Sequence, residues 1–305
     1  MYLLDRIIEC NSRSDRVEIF PFYDCHIGKR NCDEKAIRKQ VKEVLKRAEI
    51  PNRQVLVLFG GDMVNAINPA DLRRFDFDEL ADWFLKSNAE TTRERLSDIC
   101  NQEIKRAVEI FKPLQPYVLG AIYGNHEKAM RTRQNVNVHQ AICDRMGIVN
   151  LTDEAFIRLT FKRKNRAAAT VKIYMRHGYG GGRTPGAEPN KLQRLVDEWE
   201  DADVCLTGHS HTYCILPPKP VLYVPVSGKM GMERMFQRYR FGANPGTWLL
   251  SHHPGPGSYE SAAAYPARPM MTVKIVIWPF WSGSRGEDGI RHERPKIELR
   301  TYPIL

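Results

Sequence analysis

Apolar runs and the spacing of polar residues divide the chain into alternating strands and helices. Residues 17–23 form a strand-like run that ends in Asp24-Cys25-His26. Residues 34–48 place Ile37, Val41, Val44, Leu45 and Ala48 at helical spacing, with Lys35, Arg38, Lys39, Lys42 and Lys46 around the other faces. Pro51 and Asn52 break this helix before 54–59, a continuous apolar run of the kind found in strands buried on both faces. Strand, helix and strand in that order predict a βαβ unit with a right-handed crossover.

The stretch 63–112 is polar and mostly helical, best at 78–85 and 91–111, and Pro113 and Pro116 end it. A strand at 117–123 runs into Gly124-Asn125-His126-Glu127, and a helix follows at 137–146. Strands then dominate. Residues 155–161 and 170–175 flank a turn at 162–166, a helix at 190–200 precedes a strand at 203–206, and further strands are expected at 221–226, 272–278 and 296–302. The Pro-, Gly- and Ala-rich stretch 251–269 reads as a long loop. No repeat or low-complexity linker divides the chain, so one domain over 1–305 with a helical insertion at 63–112 is the simplest organisation.

Composition narrows the chemistry. A chain of 305 residues buries a sizeable core without disulfides or structural metals, so a metal here is expected to serve chemistry. The formal net charge of +10 favours a polyanionic partner such as nucleic acid. Seven cysteines, with no C-x-x-C pair, suit buried free thiols in a reducing cytoplasm. No signal peptide is visible, and no apolar run approaches the roughly 20 residues that span a bilayer, so no membrane partner is expected.

Five short motifs follow predicted strands: Asp24-x-His26, Gly60-Gly61-Asp62, Gly124-Asn125-His126-Glu127, His177-Gly178, and Gly208-His209-Ser210-His211. The carboxyl ends of strands are where α/β sheets gather their sites. Two divalent metals about 3.5–4 Å apart can clamp a phosphate through an in-line displacement. Such a pair needs a bridging carboxylate and neutral imidazoles, which suit Mn, Fe, Zn or Ni better than Mg or Ca. Alternation along an extended chain would turn Asp24 with His26, and His209 with His211, to one side. Gly61 and Gly208 would let the backbone turn tightly beside the ions.

In this order the motifs resemble the calcineurin-like metallophosphoesterase superfamily, over roughly the first two thirds of the chain. The resemblance implies an α/β sandwich of two mixed β-sheets flanked by helices, and a two-metal phosphoester hydrolase. It places one metal among Asp24, His26, Asp62 and His211, and a second among Asp62, Asn125, His177 and His209, with Asp62 bridging. Manganese is the first expectation, with Fe, Zn, Ni or Mg also compatible. The resemblance gives His126 to the substrate, as stabiliser or acid on the leaving oxygen, and Glu127 to orienting His126. Solvent shared by the metals would be the nucleophile.

Departures from the family bear on the substrate. Protein Ser/Thr phosphatases carry an arginine just before G-N-H-E and another shortly after G-D. Here those places read Tyr123 and Met63-Val64-Asn65-Ala66, which disfavours a protein phosphatase. The D-x-H-I-G start and the glycine-rich run 177–184 look more like the branch of DNA-repair nucleases and phage phosphoesterases. The leading expectation is therefore a phosphodiesterase acting on DNA, RNA or nucleotides, with Arg183 and Asn65 as candidate substrate contacts. A phosphomonoesterase, a cyclic-nucleotide or small-metabolite phosphodiesterase, and a nucleic-acid-binding module with a vestigial metal site remain alternatives. The insertion can be a lid, a substrate wall, an arm for oligomerisation or a solvated decoration. Tyr259, Tyr265, His252 and His253 are further candidates for stacking or leaving-group contact, and His139 reads as structural or surface.

Overall fold

A computed structural model of the chain describes residues 1–67, 75–85, 96–163, 166–180, 184, 186–223, 236–251, 269–285 and 291–303. In chain order the main elements are β1 (Tyr2–Glu9), β2 (Arg16–Phe22), α1 (Glu34–Ala48), β3 (Arg53–Gly60), α2 (Ile99–Phe111), β4 (Val118–Ile122), α3 (Asn125–Gln134) and α4 (Val138–Met146). They continue with β5 (Glu154–Arg163), β6 (Arg166–Arg176), α5 (Ala187–Glu198), β7 (Val204–Leu206), β8 (Cys214–Ile215), β9 (Lys219–Tyr223), β10 (Phe236–Asn244), β11 (Met271–Arg285) and β12 (Arg291–Pro303).

These strands form two mixed sheets. One runs β12-β11-β2-β3-β4, and the other β1-β5-β6-β7-β10-β8 with β9 paired to β10. The sheets face each other across a core that includes Val17, Ile19, Leu56 and Leu58 from the first sheet and Ile157, Leu159, Ile173 and Val204 from the second. Phe20, Phe22, Val55, Val57 and Phe59 point to the opposite face, where α1, α2 and α4 cover them. The run in β3 lacks alternation because both of its faces are buried. On the far side, Leu192, Leu195 and Val196 of α5 pack on Tyr174 and Cys205. The result is an α/β/β/α sandwich with helices on both outer surfaces.

Local chemistry sets the helix ends. The Asp33 carboxylate accepts from Ala36 N at 2.9 Å and caps α1, whose last turn carries Lys46 and Arg47 against the helix dipole. Within the stretch 63–112, α2 is a core element whose Ile104, Ala107 and Phe111 pack with α1. Before it, Leu80, Ala81 and Phe84 form a small separate cluster with Ile99 of α2.

Register brings the site together. β2, β3 and β4 are parallel neighbours, with Phe22 beside Phe59 and Gly60 beside Ile122. In the other sheet β6 and β7 are parallel, with Met175 beside Leu206. All five motifs therefore leave the carboxyl ends of parallel strands. All seven cysteines are free thiols. Among the described residues, no helix is long and apolar enough to cross a membrane.

Candidate metal centre

The loops after β2 and β3 are laced together by backbone hydrogen bonds. Asp24 N donates to Gly61 O at 3.1 Å, His26 N to Asp62 O at 2.9 Å, Ile27 N to Met63 O at 3.1 Å and Asn65 N to Ile27 O at 2.9 Å. The extended alternation expected for Asp24–His26 and His209–His211 does not occur. Asp24, His26, Asp62, His209 and His211 all have positive φ, between 47° and 69°. Left-handed backbone at a non-glycine residue costs on the order of 1–3 kcal/mol, so the surrounding bonds must hold it. Thr247 Oγ1 and Trp248 N supply two of them to the Asp24 carbonyl, at 2.9 and 3.2 Å. Gly61 is needed for its own φ of +92°. Gly208 is needed for close approach, since a Cβ there would sit 2.5 Å from Tyr23 Cδ1 and 2.7 Å from Asp24 Oδ2.

The side chains so aimed converge. His26 Nε2 and His211 Nε2 lie 3.0 Å apart, at 3.9 and 3.5 Å from Asp24 Oδ1. Asp62 Oδ2 is 3.7 Å from His26 Nε2 and 3.1 Å from His177 Nε2. Asn125 Oδ1 lies 3.0 Å from His177 Nε2 and 2.6 Å from His209 Nδ1. Among the described residues, three sets of candidate ligand atoms fall within 4.8 Å of one another: Asp24-His26-His211, Asp62-His177-His209 and His26-Asp62-His126. Two imidazole nitrogens turned on each other beside a carboxylate oxygen are the arrangement a cation between them would impose. The donor set of carboxylates, imidazoles and one amide oxygen fits a pair of transition-metal ions. All seven expected ligands are within these clusters or bonded to them.

Burial sharpens the charge problem that a cation would solve. Burial, reinforced by Asp62, pushes the Asp24 carboxyl up to about 8. Burial acts the same way on Asp62, yet His177, His126 and His26 hold it well below the usual carboxylate range. His177 is drawn up to about 10 against its own burial by Asp62 and Asp24. Burial keeps His26 far below its ordinary value and takes His209 down to about 4, so both are neutral donors at neutral pH.

Glu127 does something other than orient His126. Its Oε2 accepts from Asp62 N at 3.0 Å and Gly124 N at 2.9 Å, and its Oε1 accepts from Met63 N at 2.8 Å and Val64 N at 3.5 Å. The carboxylate thus fastens the β3 and β4 loops to each other. The His126 ring is anchored instead through Nδ1 to the Asn65 carbonyl, and its backbone N–H donates to Asp62 Oδ1 at 2.9 Å. Asn65 itself is buried and meets the site through that carbonyl. Arg183, His252, His253, Tyr259 and Tyr265 lie outside the described residues. His139 is buried, with Nε2 3.1 Å from Asn150 Oδ1, away from the clusters.

Several supporting residues escape sequence reasoning. Glu103 of α2 is fully buried and accepts from Ala66 N at 2.8 Å, steadying the loop that carries Asn65. Its signal was a lone acid within the apolar stripe of Cys100, Ile104, Ala107 and Phe111. Asn244 Nδ2 donates to Ser210 Oγ at 3.0 Å and Glu188 Oε1 at 2.7 Å, tying the 208–211 loop to β10 and α5. A cleft of about 340 Å³ opens beside Asn125, His177 and His209, and Tyr123, Lys128, Arg176 and Tyr179 also line it.

A two-sheet α/β sandwich with carboxylates, imidazoles and an amide gathered at its strand ends defines a metal-dependent phosphoesterase class. The chain belongs to the calcineurin-like phosphoesterase family, whose profile matches residues 24–213. No curated protein matches the chain. Among solved structures, it is similar to a conserved protein from Streptococcus pneumoniae TIGR4 described as a predicted phosphoesterase, at 13% identity and a TM-score of 0.32, over 93% of this chain and 98% of that one. It is also similar to Vps29 from Entamoeba histolytica. A double mutant matches at 11% identity and a TM-score of 0.34, covering 94% and 99% of the two chains. The wild type complexed with zinc matches at 10% identity and 0.35, covering 95% and 99%.

Proposed function

We propose that the protein is a metal-dependent phosphodiesterase acting on nucleic acid or nucleotides. The observation that carries this reading is the cleft beside the metal cluster. It sets two cations, Lys128 and Arg176, and two tyrosines, Tyr123 and Tyr179, against Asn125, His177 and His209, with the carboxylates Asp153 and Glu154 also on its wall. Tyr179 is 70% exposed, and the Arg176 guanidinium lies 5.4 Å from its ring centroid. An aromatic face for a base and a guanidinium for a neighbouring phosphate are what a nucleotide unit requires.

Asp24, His26, Asp62 and His211 would hold one metal, and Asp62, Asn125, His177 and His209 the other. When bound, such ions supply Lewis acidity toward the phosphoryl oxygens and activate water for attack. Manganese is the first candidate, given the mixture of imidazole, carboxylate and amide oxygen. The chain's own residues do the rest. The Asn65 carbonyl can only accept, so His126 carries a proton on Nδ1 and presents Nε2 as the atom that exchanges a proton with the leaving oxygen. Lys128 and Arg176 orient the phosphodiester, and the Glu127 clamp holds the β3 and β4 loops in register. A reducing, cytoplasmic setting accords with the seven free thiols.

The test is a substrate panel with protein loaded in turn with Mn, Mg, Ni and Zn. It comprises single- and double-stranded DNA, RNA, bis-p-nitrophenyl phosphate and p-nitrophenyl phosphate. Cleavage of an oligonucleotide and of the diester is expected. Turnover of p-nitrophenyl phosphate alone would make the protein a phosphomonoesterase.

A further inference from the structure

The second aromatic and basic surface lies at the other end of the strands. Directly opposed residues of paired strands share a face, and the register sets Trp278 against Lys296, Lys274 against Arg300, and Val276 against both Glu298 and Glu18. Arg16 and Arg53 pair in the same way next to Glu18. This is the outer face of the five-stranded sheet, past the part that α1 covers.

On it, Lys296 Nζ sits 4.2 Å from the Trp281 ring centroid and 5.2 Å from that of Trp278, and the Arg300 guanidinium lies 5.3 Å from Trp278. The two indoles meet edge to face at 6.0 Å. Trp281 stays 58% exposed, and the Arg300 side chain 48%. A break in register produces this display: residues 279–281 of β11 stand opposite the single residue Pro295. Pro279 and Pro295 have no N–H to give to the ladder, so the strand bulges and Trp281 turns outward.

Charge runs the same way. Glu18 alone is faced by Lys274 at 3.0 Å, Arg16 and Arg47 at 3.3 Å and Arg53 at 3.6 Å. Lys296 and Arg300 share a single carboxylate, Glu298, at 2.6 and 2.8 Å, so the cations on this face outnumber its carboxylates. Trp278 follows Ile277, which pairs with Val17 at the start of β2, whereas Asp24 lies beyond the end of that strand. At about 3.3 Å per residue Trp278 lies roughly 25 Å from the metal cluster along the strands.

We infer that Trp278, Trp281, Lys296 and Arg300 form a second binding site, a platform that stacks the bases and pairs the phosphates of single-stranded nucleic acid away from the metal centre. Tryptophan faces stack unpaired bases without regard to sequence, and a duplex hides those faces. The inference deepens the nucleic-acid reading of the cleft and rests on it.

The experiment is fluorescence anisotropy of a labelled oligothymidine with the full chain in EDTA, where metal-dependent cleavage is off and only binding is read. Trp281→Ala is expected to bind about 5- to 150-fold more weakly, the range for losing one stacked base. Trp281→Phe, which keeps an aromatic face, is expected to recover most of that loss and reports that the fold is intact. Arg300→Gln is expected to reduce the slope of log affinity against log salt by about one. Wild-type protein that does not bind, a Trp281→Ala variant that binds as wild type does, or a duplex bound as tightly as the single strand would overturn the platform. Metal-loaded wild type that cuts no nucleic acid while binding in EDTA depends on Trp281 would remove the cleavage reading and leave the platform standing.

Discussion

Replacing Glu127 by glutamine tests the architecture of the site most directly, because one atom changes and no volume is lost. The carboxylate serves four backbone N–H groups: two through Oε2, from Asp62 and Gly124, and two through Oε1, from Met63 and Val64. A glutamine has one acceptor oxygen, so whichever way it turns, its NH₂ faces two N–H donors that then lack a partner. A buried donor without a partner costs about 1–3 kcal/mol, giving about 2–6 kcal/mol for the pair. That is a large share of a total stability of roughly 5–15 kcal/mol. The measurement is urea unfolding of metal-free protein at pH 8, above the value of about 7 to which burial and then Asp62 push the Glu127 carboxyl. The midpoint should fall at unchanged slope. Calorimetric titration with Mn should show affinity about 10- to 100-fold weaker, since Glu127 supports the loop of Asp62, the proposed bridging ligand, and stands outside the proposed ligand set. A variant within about 0.5 kcal/mol of wild type, the range of ordinary surface substitutions, would refute the clamp.

Three further outcomes follow from the same geometry. His126→Gln should lower kcat on a phosphodiester about 10²- to 10⁴-fold while the metal content measured by mass spectrometry stays at the wild-type value; loss of one metal equivalent would make His126 a ligand. Gly208→Ala should destabilise the protein by about 1–3 kcal/mol in a thermal or urea melt, because the added Cβ meets Tyr23 and Asp24, and an unchanged melt would mean the loop has room to move. Burial lowers His139 from 6.5 to about 4, so it is neutral in the fold and must charge on unfolding in acid. The stability this confers is complete above pH 6.5 and is lost as pH falls toward 4, by up to about 3 kcal/mol. Wild type minus His139→Gln, measured by urea unfolding across that window, should show the slope, and a flat difference would refute it.

The sequence made the sandwich legible where both faces of a strand are buried or one face alternates cleanly. The runs in β2, β3 and β4 fall within a residue or so of their predicted ends, and the motifs mark the strand termini. Three of the elements that were not legible have a clear physical reason. β1 is an edge strand that exposes Leu3 and Ile7 and buries only Ile8, so Asp5 and Arg6 interrupt its pattern without harm. α3 buries only Glu127 and Met130 and has no apolar stripe to detect. β10 lies inside its sheet yet carries Arg240, whose guanidinium is satisfied by the carbonyls of Trp199 and Ala202, at 2.7 and 3.4 Å, rather than by water. The candidate ligands were legible as residue types in order, but their left-handed backbone was not, because aspartate and histidine enter that region only under tertiary constraint.

That constraint explains why acids recur in the site's supporting shell. Five left-handed residues are each unfavourable alone, and they stand on three loops, those after β2, β3 and β7. The loops are joined through carboxylates that accept backbone N–H groups from a neighbouring loop: Glu127 from the β3 and β4 loops, Glu103 from Ala66, and Asp24 from His209 at 3.0 Å. An amide or hydroxyl in these places supplies fewer acceptor positions and introduces a donor where donors already converge. On the proposed reading, the protein's own hydrogen bonds direct the candidate ligands, and metal binding need not order the loops. Electrostatic preorganisation of this kind favours the charge distribution of a transition state because the groups do not reorganise when it forms. The carboxylates that never touch substrate are therefore as much a part of the site's chemistry as those that face it.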